Sequence, residues 1–110
     1  MEKRISLVTQ NQIHLLLPID ILYCKCNYTS TTFHLVNNEV VSVSKGIKVF
    51  EKMLEGDGFI RSHQSYLVNI NHITRLDKAD NYKLVLSNNE KLPTAIRRRK
   101  EMMKTLKMGQ

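Results

Sequence analysis

Through the first two-thirds of the chain, apolar positions either alternate with polar ones or gather in brief β-branched runs, the pattern of short half-buried strands. Residues 5–8 (ISLV) and 13–17 (IHLLL) flank Gln10-Asn11, which predicts a hairpin. Pro18-Ile19-Asp20 reads as a turn or one helical turn, followed by strand-like runs at 21–28, 31–36 and 40–44. Asn37-Asn38 separates the last two runs, and asparagine tolerates the positive φ of a tight hairpin. Residues 82–86 and 91–92 repeat that arrangement around Asn88-Asn89. The segments LVNNEV and VLSNNEKL echo each other but are too short to define a repeat.

Two segments break the period of two. Ile47, Phe50 and Leu54 recur at three- and four-residue steps, which predicts a short helix over 46–54 ended by Gly56 and Gly58. From Ala95 to Lys107, Ile96, Met103 and Leu106 suit one face of a second helix, with Pro93-Thr94 as its start and Gly109 beyond its end. Many strands with one short central helix and one terminal helix predict a mostly β fold. At 110 residues, the chain fits one domain, residues 1–110, with a core over about 3–107.

Composition changes this picture in one respect. Seventeen Lys and Arg against ten Asp and Glu give a net charge of +7, a field that attracts polyanions. Much of the excess lies near the end, where Lys91, Arg97, Arg98, Arg99, Lys100, Lys104 and Lys107 face Glu101 alone. The run Leu15-Leu16-Leu17 falls far short of the roughly 20 apolar residues that span a bilayer. Met1-Glu2-Lys3-Arg4 looks like the charged head of a signal peptide, but the polar cluster Gln10-Asn11-Gln12 interrupts the apolar region that should follow, so the expected setting is cytoplasmic. Cys24 and Cys26 are then expected as reduced thiols in packing or edge positions.

The candidate chemistry is that of binding. Arg97-Arg98-Arg99-Lys100 opens the last helix, where the macrodipole disfavours cations unless an external anion compensates. A phosphate resolves that conflict, and arginine suits bidentate contacts to phosphate or to guanine edges. A solvated helix surface is the plainer reading of the same cluster. In FIRSHQSYLVN, residues 59–69, five polar residues from Arg61 to Ser65 stand between apolar anchors, all able to bond phosphate oxygens or base edges. Gln64 can pair bidentately with adenine, whereas His63 suits bracing the loop as well as touching a base or phosphate. No GxSxG turn or orienting acid accompanies Ser62, His63 and Ser65, so no catalytic residue is expected. Cys24, Cys26, His14, His34, His63 and His72 form neither CxxC nor HExxH, and the glycines match no phosphate loop, so neither metal nor nucleotide cofactor is expected.

Residues 59–73 (FIRSHQSYLVNINHI) and 84–106 (LVLSNNEKLPTAIRRRKEMMKTL), with PIDILYCKCNYTSTTFHL at 18–35, resemble the LytTR family, the DNA-binding domain of many bacterial response regulators. That family's Asp-Ile-Leu-Tyr-like entry falls on residues 20–23. Its Phe-x-Arg-x-His-x-Ser-x-x-Val-Asn pattern falls on Phe59, Arg61, His63, Ser65, Val68 and Asn69, and its Leu-Pro-x-x-Arg-like stretch on Leu92, Pro93 and Arg97. The resemblance implies an elongated, mostly β fold of stacked antiparallel sheets, in which loops rather than a recognition helix enter the DNA grooves. It implies base contacts from the first loop, residues 27–30, where Asn27, Thr29 or Tyr28 does the reading, from His63 and Gln64 in the polar block, and from Arg97. Arg61, Lys91, Arg98 and Arg99 are candidate phosphate contacts on charge alone.

The chain also departs from the family pattern. The loop CNYTST carries no cation, Cys24-Lys25-Cys26 replaces a Glu-Ala-like pair, and the receiver domain common upstream is not in this chain. The chain reads either as a stand-alone regulator or as a piece of a longer one.

The leading expectation is sequence-specific binding of double-stranded promoter DNA, with repeated half-sites, self-association on DNA, and no membrane or small-molecule substrate. One rival is a single-stranded RNA module, which needs exposed aromatics for base stacking. Another is a basic interaction domain that docks an acidic protein or membrane.

Overall fold

The structure, a computed structural model, describes residues 3–107. The start of the signal-like head and the expected stop at Gly109 lie outside the described residues. Ten strands form three antiparallel sheets. β1 (Ile5–Val8) pairs with β2 (Ile13–Leu16). A five-stranded sheet contains β3 (Ile21–Asn27), β4 (Ser30–Leu35), β5 (Val40–Val43), β6 (Phe59–His63) and β7 (Tyr66–Asn69), in the order β5-β4-β3-β7-β6. A three-stranded sheet runs β10-β9-β8, from β8 (Ile73–Asp77), β9 (Lys83–Leu86) and β10 (Lys91–Leu92). Helix α1 (Ile47–Met53) links β5 to β6, and α2 (Arg99–Leu106) ends the described chain.

The five-stranded sheet is the middle layer, and each of its faces supports a separate core. On one side Ile5, Leu7 and Leu16 of the first hairpin and Ile47, Phe50 and Leu54 of the α1 region pack with Cys24, Phe33, Leu35, Val41, Val43 and Leu67. Phe33 and Phe50 meet edge to face at 4.7 Å, a favoured arrangement of aromatic quadrupoles. On the other side Leu84, Leu86, Leu92 and Met102 cover Leu22, Tyr23, Ile60 and Val68. The molecule extends over 43 × 33 × 24 Å, the elongated mostly β form that the resemblance implies.

The turns follow the sequence chemistry. Asn38 and Asn89 take φ 71° and 70°, in the left-handed region that asparagine enters with less penalty than most residues. Gly58 at φ 83° lets the chain leave the α1 region and enter β6.

The last helical segment differs from expectation. A 3-10 turn at Ile96–Arg98 precedes α2, so the segment is not one continuous helix from Ala95. Three residues per turn followed by 3.6 breaks the phase that put Ile96 and Met103 on one face. Ile96 is 78% exposed, and Met102 takes the fully buried position, with Leu106 packed at the edge of that core.

Candidate nucleic-acid interface

Strand pairing sets the three candidate segments side by side. Antiparallel β3 and β7 match Lys25 with Tyr66, which places the β3–β4 turn beside the β6–β7 turn at one end of the middle sheet. The Cys26 N–H donates to the Ser65 carbonyl at 2.9 Å and closes that junction. On its other side β6 meets the chain leaving β10. The Ala95 N–H donates to the Ser62 carbonyl at 2.8 Å, and the buried Ser62 hydroxyl donates to the Pro93 carbonyl at 3.0 Å. Arg98 Nη1 adds a bond to the Arg61 carbonyl at 3.2 Å. Asn27, Thr29, His63, Gln64 and Arg97 thereby belong to three segments joined edge to edge.

Within the β6–β7 turn the backbone is engaged internally while the Gln64 side chain is not. Arg61 Nε donates to the His63 carbonyl at 3.1 Å, and Nη2 donates to the Gln64 carbonyl at 2.6 Å. The Ser65 N–H donates to His63 Nδ1 at 3.1 Å, which leaves the ring's proton on Nε2 when it is neutral. Gln64 is exposed, and its side-chain amide makes no hydrogen bond among the described residues. His63 is half-buried, with its ring edge to face on Tyr66 at 5.7 Å. It therefore braces the turn in this structure.

Arg61 is not an open cation. Besides the two carbonyls it pairs with Glu51 of α1 at 2.8 Å, and only 11% of its side chain is exposed. Lys91 pairs with Asp80 at 3.3 Å, so its contact runs to the β8–β9 turn and not to the two hairpin turns. Arg99 stacks its guanidinium over Tyr82 at 4.3 Å, and Arg98 is half-buried against Arg61. Arg97 is exposed and makes no side-chain hydrogen bond among the described residues.

Asn27 and Thr29 are exposed in the first turn, and Tyr28 between them is 95% exposed at φ 57°. Few residues other than Gly, Asn and Asp adopt that backbone. The sequence includes Tyr28 in the first contact loop, although periodicity alone places it at a strand end. Lys25 was missed. It is exposed on β3 two residues before the turn, with Nζ 5.6 Å from the centre of the Tyr66 ring, so the strand brings the cation that the loop lacks.

A row of rings supports this end of the sheet, with His34, Tyr23, Tyr66 and His63 on β4, β3, β7 and β6 in spatial order. His34 stacks on Tyr23 at 4.3 Å, and Tyr23 lies 6.1 Å from Tyr66. The Tyr23 hydroxyl donates to Glu90 at 2.7 Å. Burial, and then the hydrogen bond to this carboxylate, push the phenol well above its ordinary pKa, so it remains a donor. Among the described residues, no group of three or more His, Cys, Asp or Glu could hold a metal ion. No described helix is long and apolar enough to cross a membrane. Cys24 and Cys26 are free thiols, one buried and one half-buried.

Comparison with known proteins adds an independent line. A family model described as the LytTr DNA-binding domain matches residues 11–107. Among solved structures, a domain described as the LytTr DNA-binding domain of a methyl-accepting/DNA response regulator from Bacillus cereus is similar, with a TM-score of 0.81. The match covers 98% of this chain and 100% of that one at 23% identity, a likeness of fold. No curated protein sequence matches.

Proposed function

The chain belongs to the LytTr DNA-binding domain family, and from that premise we propose that it regulates bacterial transcription by reading duplex DNA with the turns at one end of its middle sheet. One observation carries the reading: the exposed side chains of Asn27, Tyr28, Thr29, Gln64 and Arg97 stand on three segments that backbone hydrogen bonds hold edge to edge. Gln64 and Arg97 read bases in the major groove, where the amide suits adenine and the guanidinium suits guanine. Lys25, Arg98, Arg99 and Lys100 supply phosphate affinity, which positions the turns without specifying sequence. Arg61 and His63 are assigned to the turn itself, and Lys91 lies outside the contact surface.

This domain binds DNA in the cytoplasm and carries out no catalysis. Its operator contains repeated half-sites, and copies associate when bound side by side. Duplex DNA is favoured over single-stranded RNA because Tyr23 is buried and Tyr66 and Tyr82 are half-buried, leaving few rings for base stacking. Selection from a randomised duplex library at about 150 mM salt, where non-specific attraction is weakened, tests the reading. An enriched motif in spaced repeats is expected. Recovery of no motif, or stronger competition by single strands than by duplex, overturns it.

A further inference from the structure

Charge alone makes Arg61 a candidate phosphate contact, but its guanidinium is engaged within the protein. Its guanidinium bridges the carbonyls of His63 and Gln64 on one side and the Glu51 carboxylate on the other, at 3.1, 2.6 and 2.8 Å. The Arg61 carbonyl is itself held by Arg98 at 3.2 Å. The next carbonyl in the turn, that of Ser65, is taken by the Cys26 N–H, and the Ser65 N–H by His63 Nδ1. Three successive carbonyls of the turn are thus fixed, two of them by one planar fork anchored to α1. The Gln64 side chain is exposed and makes no hydrogen bond among the described residues.

We infer that Arg61 is a positioning residue: held by Glu51, it sets the backbone of the β6–β7 turn so that the Gln64 amide meets a base edge in bidentate register. The inference rests on Gln64 being a base reader and deepens that reading. Bidentate recognition depends on the angle of the amide plane, so a turn free to rock keeps its phosphate-dependent affinity while losing discrimination. Lysine keeps the charge of arginine but presents a point donor on a flexible stem, and cannot span the carbonyls and the carboxylate as a rigid fork.

The test is a double-mutant cycle on binding of the selected duplex and of duplexes changed at single positions. Gln64→Ala identifies the base position that Gln64 reads, through a loss of discrimination there of about tenfold. Arg61→Lys is expected to lose about as much at the same position, with the salt slope unchanged, and to lose nothing further in the Gln64→Ala background. Glu51→Gln, which loosens the same fork from α1 without touching the turn, is expected to lose part of that discrimination, and thermal unfolding confirms that each variant is folded. Two outcomes overturn the positioning role: equal weakening of all sequences by Arg61→Gln with the salt slope lowered by about one, or losses from Arg61→Lys and Gln64→Ala that multiply in the double variant. Should Gln64→Ala leave discrimination intact at every position, the base-reading assignment falls, and the positioning role falls with it.

Discussion

His34 and His63 stand at opposite ends of one row of rings and differ in what surrounds them. His63 sits at the turn end of the sheet, where its Nδ1 accepts the Ser65 N–H. His34 is stacked on Tyr23 further from the turn, and desolvation holds its pKa below the usual 6.5, with Lys25 adding to the shift and Glu90 opposing it. In the unfolded chain His34 takes up a proton near pH 6.5, while in the folded chain it resists doing so to lower pH. Its contribution to stability is therefore complete above about pH 6.5 and is lost as pH falls from there through the depressed folded value. Urea unfolding between pH 7.5 and 5 should show a fall in stability that is smaller in His34→Phe, which keeps the stack without the titration. Equal slopes in the two proteins would count against the half-buried neutral ring.

At the scale of elements, the segment from Ile96 to Leu106 shows where periodicity misleads. Ile96 and Met103 are seven apart, a spacing that suits one face of a continuous helix, but the 3-10 turn before α2 rotates Ile96 into solvent and leaves Met102 as the buried anchor. Met102→Ala should cost about 2 to 5 kcal/mol by leaving a cavity between α2 and the sheets. Ile96→Ala should change stability by less than about 0.5 kcal/mol, as surface substitutions do. Denaturant midpoints of the two variants check this, and the opposite ranking would restore the continuous helix. The strands were more legible, because alternation at residues 5–8, 31–36 and 40–44 and the Asn-Asn turns are local signals that the sheets did not override. The engagement of Arg61 and the outward aim of Tyr28 were illegible for a different reason. Whether a cation is open or engaged depends on Glu51, ten residues away, and whether a tyrosine points out of a turn depends on a positive φ that its residue type disfavours.

Across the whole molecule, the two cores cover the faces of the middle sheet and leave the turn residues Asn27, Tyr28, Thr29 and Gln64 exposed. Neither core contains Asn27, Gln64 or Arg97, so the proposed contact surface can vary in sequence while Phe33, Leu67, Leu84 and Met102 maintain the scaffold. The net charge of +7 draws DNA toward the protein, and the strongly basic segment 91–107 runs past the same end through Ala95, Arg97 and Arg98. The outer face of the first hairpin, with Val8, Ile13 and Leu15 exposed, belongs to a different surface. The central claim is that duplex DNA meets the assembled turns, and amide chemical-shift mapping of the isotope-labelled protein titrated with its selected duplex tests this most directly. The largest shifts are predicted at residues 27–30, 63–65 and 96–100. Shifts concentrated on the outer face of the first hairpin, with those turns unchanged, would contradict the account.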